Sequence, residues 1–206
     1  MIRIESIESP FTAPQVAFQA VTALGRAEAM GLLPAGERIE TLDLPSFQKV
    51  VRHVHRAGIA RNVQLELGSN GVVSDAGLAR DLERLNLALE ESPVPEFEWA
   101  RLTEVLGVEL LSRLLGISAS SLRRYKLAAR STPDDVAARL HFLSLIVGDL
   151  SGAYNEIGIR QWFGRRRAQL DGRAPLDWLK PHWDPAQPGP RRVQDLARAL
   201  LASPAT

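Results

Sequence analysis

Residues 110–126 read Leu-Leu-Ser-Arg-Leu-Leu-Gly-Ile-Ser-Ala-Ser-Ser-Leu-Arg-Arg-Tyr-Lys, and this stretch decides the fold of the C-terminal half. Its spacing predicts two helices joined by a short turn. Gly116 falls just past the first helix, where a positive φ costs a glycine little. Ser118 is a natural N-cap for the second helix. Apolar residues at matching spacing can close a small core between the two: Leu111, Leu115, Ile117, Leu122 and Tyr125. The pattern is typical of a helix-turn-helix within residues 98–133.

The second helix of this pair carries a basic, hydroxyl-rich face away from the core. Five basic residues and no acid lie between Leu110 and Thr132, namely Arg113, Arg123, Arg124, Lys126 and Arg130. Hydroxyls near the start of a helix with arginines behind them suit the major groove of DNA. We therefore predict DNA contacts from Ser118, Ser120, Ser121, Arg123, Arg124, Lys126 and Arg130. The alternative is an ordinary helical hairpin whose polar face meets only water.

Composition describes a folded, water-soluble chain. The 206 residues are 45% hydrophobic and 24% charged, which is ordinary for a globular protein. No apolar run approaches the roughly 18 residues of a membrane span, and residues 1–6 lack the pattern of a signal peptide. The absence of cysteine fits a reducing compartment. We expect a cytoplasmic protein.

Charge is distributed unevenly along the chain. Residues 1–95 carry 9 Lys/Arg and 12 Asp/Glu, whereas residues 96–206 carry 16 and 12. A surface that binds a polyanion is therefore expected in the C-terminal half.

Two prolines in Ser92-Pro93-Val94-Pro95 mark the clearest break in the chain. Before it, alternating residues predict strands at 2–5 and 63–67, with a hairpin turn at Ser69-Asn70-Gly71 and a short return strand at 72–73. Helical spacing occurs at 14–30, and also at Phe47, Val50, Val51 and Val54 and at Leu78, Leu82, Leu85 and Leu89. This predicts a small α+β N-terminal region over residues 1–91.

After the break every pattern is helical. Trp99, Leu102 and Leu106 form one stripe. Thr132 and Pro133 predict a helix start, with the threonine as N-cap and the proline at the first helical position. Val136, Leu140, Leu143 and Val147 predict the buried face of this helix. Val193, Leu196, Ala197, Leu200 and Leu201 form the apolar face of a last helix. The predicted fold is mainly α, with domains at residues 96–150 (the helix-turn-helix) and 151–206 (a C-terminal helical domain).

Candidates for catalysis are weak. His53 and His55 lie two apart on a predicted helix and point about 200° apart, so they cannot share a metal. His141 and His182 have no acidic cluster beside them in the sequence. Residues 68–71 lack the lysine that a phosphate-binding loop needs. We predict no catalytic residue, no metal and no cofactor.

Aromatic and basic residues alternate in the C-terminal segment. Three interpretations of its arginines stay open: a solvated basic turn, phosphate contacts beside the recognition helix, or a surface for a protein partner, since arginine and tryptophan dominate binding hot spots. For its three tryptophans, burial inside the domain is the more common fate, and the alternative is that at least one faces a partner. The candidate contact residues are Trp162, Arg165, Arg166, Arg167, Arg173, Trp178 and Trp183.

These motifs together resemble the Xre/MbcA/ParS-type antitoxins, the partners of RES-domain toxins. The likeness covers residues 98–201. It depends on Trp162-Phe163, on the loop Ala168–Leu176 (Ala-Gln-Leu-Asp-Gly-Arg-Ala-Pro-Leu) and on the final helix from Val193 to Leu201. Asp171 stands where the family has the first glycine of the loop, and a left-handed conformation at Asp171 would accommodate the change. The segment 180–190 is longer than the family pattern, and residues 1–95 have no counterpart in the short antitoxins.

The resemblance implies a type II toxin–antitoxin operon. In such an operon the antitoxin masks an NAD-degrading RES-domain toxin and represses its own promoter. The seven aromatic and basic residues of the C-terminal segment would then contact the toxin. Two other hypotheses are a stand-alone transcriptional regulator with an N-terminal sensing or dimerisation region, and an interaction module that does not bind DNA.

Affinity bears on the assembly state. One helix-turn-helix with about five basic contacts binds DNA non-specifically at about 10⁻⁴ to 10⁻⁶ M, whereas specific repression needs about 10⁻⁸ M or better. A two-fold dimer that places two recognition helices about 34 Å apart supplies the difference. We predict a homodimer or larger oligomer and a palindromic operator.

Overall fold

The computed structural model describes residues 4–63 and 74–202, without the side chain of Ala202. Within these residues the chain forms nine α-helices, one 3₁₀ helix and a two-stranded parallel sheet. The elements are β1 (Ser6–Ile7), α1 (Pro14–Ala29), β2 (Thr41–Leu42), α2 (Leu44–Arg56), α3 (Asp75–Glu90), α4 (Pro95–Leu115), α5 (Ala119–Lys126), α6 (Asp134–Ser151), α7 (Glu156–Gly164), the 3₁₀ helix (Ala168–Leu170), α8 (Pro175–Trp178) and α9 (Pro188–Ala202). The mainly helical fold agrees with the sequence prediction.

Helices α1 to α3 share a hydrophobic core that runs from Phe11 to Val94. The helical stripes predicted on α2 and α3 are buried in it, which confirms them. At the start of α2 the Asp43 carboxylate accepts a bond of 2.8 Å from the backbone N–H of Ser46 and so caps the helix. The amphipathic pattern was therefore sufficient to locate these helices and their inward faces.

The strands differ from the prediction. Pairing joins Ser6 to Thr41 and Ile7 to Leu42, whereas Ile4 and Glu5 lie before the strand. A parallel pair of strands needs a long connection, and α1 supplies it here. The alternation of residues within one segment does not reveal which other segment that strand pairs with. Val63 is buried after a turn rather than in a strand. The remaining predicted strand and hairpin residues, 2–3 and 64–73, lie outside the described residues.

Helices α4 to α9 close around a second core, from Trp99 to Ala197. Residues 96–150 and 151–202 thus share one hydrophobic interior. Helix α4 is kinked at Gly107, whose φ of 77° lies outside the helical region. The predicted stripes of α4 and α6 are buried, as are Val193 and Ala197 of α9.

The start of α6 was misassigned by one residue. Pro133, not Thr132, occupies the N-cap position. The Thr132 hydroxyl instead accepts a hydrogen bond of 2.9 Å from the indole Nε1–H of Trp99. The indole N–H of the buried Trp99 therefore has an acceptor, and Thr132 supplies it.

The two cores meet where α1 crosses α6, and the backbones of the two helices approach closely there at two glycines. A Cβ added to Gly25 would lie 2.8 Å from the carbonyl oxygen of Gly148, and one added to Gly148 would lie 3.0 Å from the backbone of Arg26. Such backbone contact leaves no room for a side chain at either position. The N-terminal helices are therefore packed directly against α6.

A buried ionic cluster lies beside this crossing and joins four helices. Arg26 of α1 lies 3.4 Å from Glu90 of α3 and 3.6 Å from Asp149 of α6. Arg198 of α9 lies 3.1 Å from Glu90 and 4.0 Å from Asp149. Burial raises the pKa of Asp149 to about 6, although Arg26 and Arg198 oppose the shift. Desolvation therefore outweighs attraction at Asp149.

This pKa predicts how stability depends on pH. The folded protein binds the Asp149 proton more tightly than the unfolded chain, whose carboxyl keeps the ordinary value of 3.8. The free energy of unfolding should therefore fall as pH rises from about 4 to about 6, by up to roughly 3 kcal/mol, and stay level above that range. Asp149→Asn should make this slope shallower in urea titrations, whereas Asp195→Asn on the exposed side of α9 should leave it unchanged. An unchanged slope in Asp149→Asn would refute the assignment.

Candidate nucleic-acid interface

The turn between α4 and α5 has the geometry that the sequence predicts. Gly116 adopts the left-handed conformation, with φ 68° and ψ 32°. The N–H of Ile117 reaches back to the carbonyl of Ser112 at 3.1 Å and closes the helix end. The Ser118 hydroxyl accepts a hydrogen bond of 3.1 Å from the backbone N–H of Ser121. The roles predicted for Gly116 and Ser118 are confirmed.

Packing fixes the orientation of α5. The helix leaves α4 at an angle of 119°. Leu122 is fully buried and Tyr125 is buried, its ring stacked on Trp99 at 5.7 Å between centroids. Because these inward residues are held by the core, the opposite side of α5 points into solvent.

The solvent side of the α4–α5 pair is cationic. Between the end of α4 and residue 130, five cations are exposed: Arg113, Arg123, Arg124, Lys126 and Arg130. None of the five forms an ion pair with another described residue. The Arg130 guanidinium lies over the Tyr125 ring at 5.9 Å. This face can bind an anion without first breaking an internal contact to an acid.

The three serines at the start of α5 are linked to one another. The Ser118 and Ser120 hydroxyl oxygens are 2.9 Å apart, and Ser118 donates to Ser121 at 3.0 Å. Ser120 is exposed and Ser121 is half-buried. Ser120 therefore has the hydroxyl most free to reach a ligand, whereas Ser118 and Ser121 first serve the cap.

Two of the tryptophans assigned to a partner surface are core residues. Trp162 is 1% exposed, with its ring edge-on to Phe163 at 5.2 Å. Trp183 is 5% exposed and packs on Phe142 at 5.1 Å. A partner cannot reach either indole in this conformation, so neither is available as a contact residue.

Trp178 is the partly accessible tryptophan of this segment. It is half-buried, and the guanidinium groups of Arg173 and Arg192 each lie over its ring at 5.2 Å. Arg192 is held in place by Asp171, with N–O distances of 2.7 and 3.1 Å. Asp171 itself is left-handed, with φ 57°, which confirms the conformation expected of it. The sequence reasoning missed Arg192, which belongs to the distant α9.

The arginines of the loop after α7 have different environments. Arg165 and Arg166 are exposed, and Arg165 donates to the Gln161 side chain at 2.8 Å. Arg167 is half-buried, with its guanidinium over Trp162 at 5.5 Å. Its backbone pairs with that of Arg173 and closes the loop. The exposed surface is thus formed by Arg165, Arg166 and Arg173, with Trp178 beside them.

A second polar cluster lies inside the protein. The Nε2–H of His141 donates to the carbonyl oxygen of Glu90 at 2.9 Å, because a carbonyl can only accept. Its Nδ1 lies 2.6 Å from the Glu98 carboxyl, to which Ser144 also donates at 3.1 Å. Burial raises the pKa of Glu98, against hydrogen bonds from His141 and Ser144. His141, which has no acidic cluster beside it in the sequence, thus has one acid beside it in the fold, Glu98, from 43 positions earlier in the chain.

This cluster holds the residue types of a hydrolytic triad in an unsuitable arrangement. In a working triad the serine donates to the histidine ring, whereas the Ser144 hydroxyl shares its proton between the backbone carbonyl of His141 at 2.7 Å and the Glu98 carboxyl at 3.1 Å. Ser144 and Glu98 are also fully buried, out of reach of a substrate. The arrangement is that of a structural link between α3, α4 and α6. A sequence signal existed, since Glu98 shares the inward stripe with Leu102 and Val105.

Comparison with known proteins gives no relative: no family model, no curated protein and no solved structure matches the chain. In the part of the chain that the structure describes, no group of three or more metal-binding side chains is present. No single helix among these residues is long and apolar enough to cross a membrane, although two bent pairs of consecutive helices reach that length and apolarity together.

Proposed function

We propose that this protein is a cytoplasmic antitoxin of a type II toxin–antitoxin system. It binds operator DNA through α4 and α5, acting as a helix-turn-helix, and neutralises an NAD-degrading RES-domain toxin through its C-terminal surface. The observation that supports DNA binding most strongly is the exposed cationic face of the α4–α5 pair, which carries no internal ion pair. The resemblance of residues 98–201 to the Xre/MbcA/ParS-type antitoxins supports the toxin as partner.

The geometry of the pair suits a duplex groove. Its angle of 119° lies within the 90–120° range of helix-turn-helix pairs. An α-helix fits the major groove of B-DNA, with residues toward its N-terminus on the base edges. Ser120, Arg123 and Arg124 are the residues placed to read bases, and Lys126 and Arg130 follow as phosphate contacts.

The toxin-binding surface is proposed on the loop after α7 and on α8. Arg165, Arg166 and Arg173 supply the charge, and Trp178 supplies an aromatic surface of the kind found in hot spots. Trp162 and Trp183 support this surface from the core. A homodimer on a palindromic operator is part of the proposal, because a single helix-turn-helix supplies too little affinity for specific repression.

The test is co-expression with a RES-domain toxin, which the proposal expects to be encoded beside this chain's gene. We expect growth and cellular NAD to be restored by the wild-type chain, and the two proteins to elute together in gel filtration. Arg165→Glu with Arg166→Glu should abolish rescue, because reversing two exposed charges places repulsion in the interface. Arg123→Ala with Arg124→Ala should rescue normally while losing DNA binding. Failure of the wild-type chain to rescue would refute the antitoxin assignment.

One observation favours a stand-alone regulator as the second candidate. A cavity of about 640 Å³ lies between β1, α1 and α6. Its wall includes the apolar residues Ile4, Val21 and Leu24 together with Tyr154. That volume falls in the range of small-molecule sites. A regulator of this kind would bind DNA and would not rescue cells from the toxin.

A further inference from the structure

A groove of about 450 Å³ runs beside the turn between α4 and α5. One wall is the end of α4 and the turn, including Arg113 and Gly116. The other wall belongs to the C-terminal segment and includes Lys180 and Pro181. Two distant parts of the sequence are therefore adjacent on the surface next to the proposed recognition helix.

The C-terminal wall is fixed to the turn by two contacts. The indole Nε1–H of Trp183 donates to the carbonyl oxygen of Leu114, in the last turn of α4, at 2.7 Å. That carbonyl has no partner inside the helix, so the bond satisfies a group that the helix end leaves open. A Cβ added to Gly116 would lie 3.0 Å from the Cα of Pro181. The loop Lys180–Trp183 therefore lies directly against the turn.

Charge in the groove favours an anion. Arg113 and Lys180 are both exposed, one on each wall, and neither forms an ion pair with another described residue. Asp177, also in the groove, is occupied in accepting a bond of 3.0 Å from the backbone N–H of Ala174. The groove thus contains two cations without an ion pair and one carboxylate that already accepts a hydrogen bond, so its net charge is positive.

We propose that the DNA-binding surface extends beyond α4 and α5 to the loop Lys180–Trp183, and that Lys180 contacts the phosphate backbone across the groove from Arg113. This inference rests on the proposed function. Trp183 acts as a positioning residue, since its bond to Leu114 holds the lysine beside the turn. The segment 180–190, which lies between α8 and α9 and is longer than the family pattern, thereby acquires a role in holding DNA.

The three lysines of the chain supply the test, because Lys180 is the new contact, Lys126 is the contact expected from α5, and Lys49 is a control outside both. Affinity for a duplex of the upstream region of this chain's gene is measured by fluorescence anisotropy between 50 and 200 mM salt, with the full chain. Lys180→Ala should lower the slope of log affinity against log salt by about one, as Lys126→Ala does. Lys49→Ala, an exposed lysine on α2, should leave the slope unchanged.

The positioning role is tested by combining Trp183→Phe with Lys180→Ala. Trp183→Phe keeps an aromatic ring but removes the donor, so it should lower the slope like Lys180→Ala, and the double variant should lose no more than either single one. Additive losses would mean that Trp183 acts on α5 alone and would overturn the positioning role. If Lys126→Ala lowers the slope and Lys180→Ala behaves like Lys49→Ala, the extended surface is wrong while the proposed function stands. If the wild-type chain shows no salt-dependent binding, the proposed function itself fails.

Discussion

Replacing Arg123 and Arg124 together with alanine is expected to weaken operator binding at least about 30-fold. Both side chains are exposed on α5 and neither is paired to an acid among the described residues. An arginine that reads a base contributes about 1–3 kcal/mol, so losing two costs at least about 2 kcal/mol. Titration of a labelled operator duplex at fixed salt measures the loss.

A matched control separates this effect from a loss of net charge. Arg52→Ala with Arg56→Ala removes the same charge from exposed positions on α2. This variant should bind DNA as the wild-type chain does, apart from a small change through the overall field. If both double variants lose the same affinity, the cationic face of α5 is not the binding surface. The protein would then be attracted to DNA only through its overall charge.

Replacing Trp162 with alanine is expected to lower the free energy of unfolding by about 3–5 kcal/mol. The indole is 1% exposed and lies between Phe163 and the Arg167 guanidinium. A domain of this kind is stable by about 5–15 kcal/mol, so the loss is a large share of the total. Urea unfolding, followed by circular dichroism, measures it.

Trp178 provides the comparison for Trp162, because both belong to the same segment. Trp178→Ala removes a half-buried ring and should cost less stability while weakening the toxin complex more directly. Should Trp162→Ala fold as stably as the wild type yet fail to bind the toxin, the ring would be a contact residue after all, and the core described for α7 would be wrong.

The local features of the α4–α5 pair could be predicted from sequence because they depend on neighbouring residues. The left-handed conformation of Gly116 and the cap at Ser118 follow from short spacings, and both are confirmed. The stripes of α2, α3, α4 and α6 follow from helical periodicity alone. The left-handed conformation of Asp171 was expected from the resemblance, because the family has a glycine at this position of the loop.

The remaining features depend on contacts between distant segments. The Trp183 indole needs the carbonyl of Leu114, 69 positions away. Asp149 meets Arg26 and Arg198 only because four helices converge. Composition identifies a segment rich in aromatic residues, but it does not show whether a given tryptophan faces a partner protein or the interior of its own domain. Trp162 and Trp183 were assigned to the surface for this reason.

The central claim, that α5 lies in a groove of the operator, can be tested with a single cysteine. The chain has no native cysteine, so Ser120→Cys gives one attachment point on the exposed side of α5 for a DNA-cleaving iron chelate. We expect strand cleavage in two patches about 34 Å apart, one for each half-site, and background cleavage from Ala35→Cys in the exposed loop before β2. Equal cleavage from the two positions, or none from position 120 on bound operator, would contradict the account.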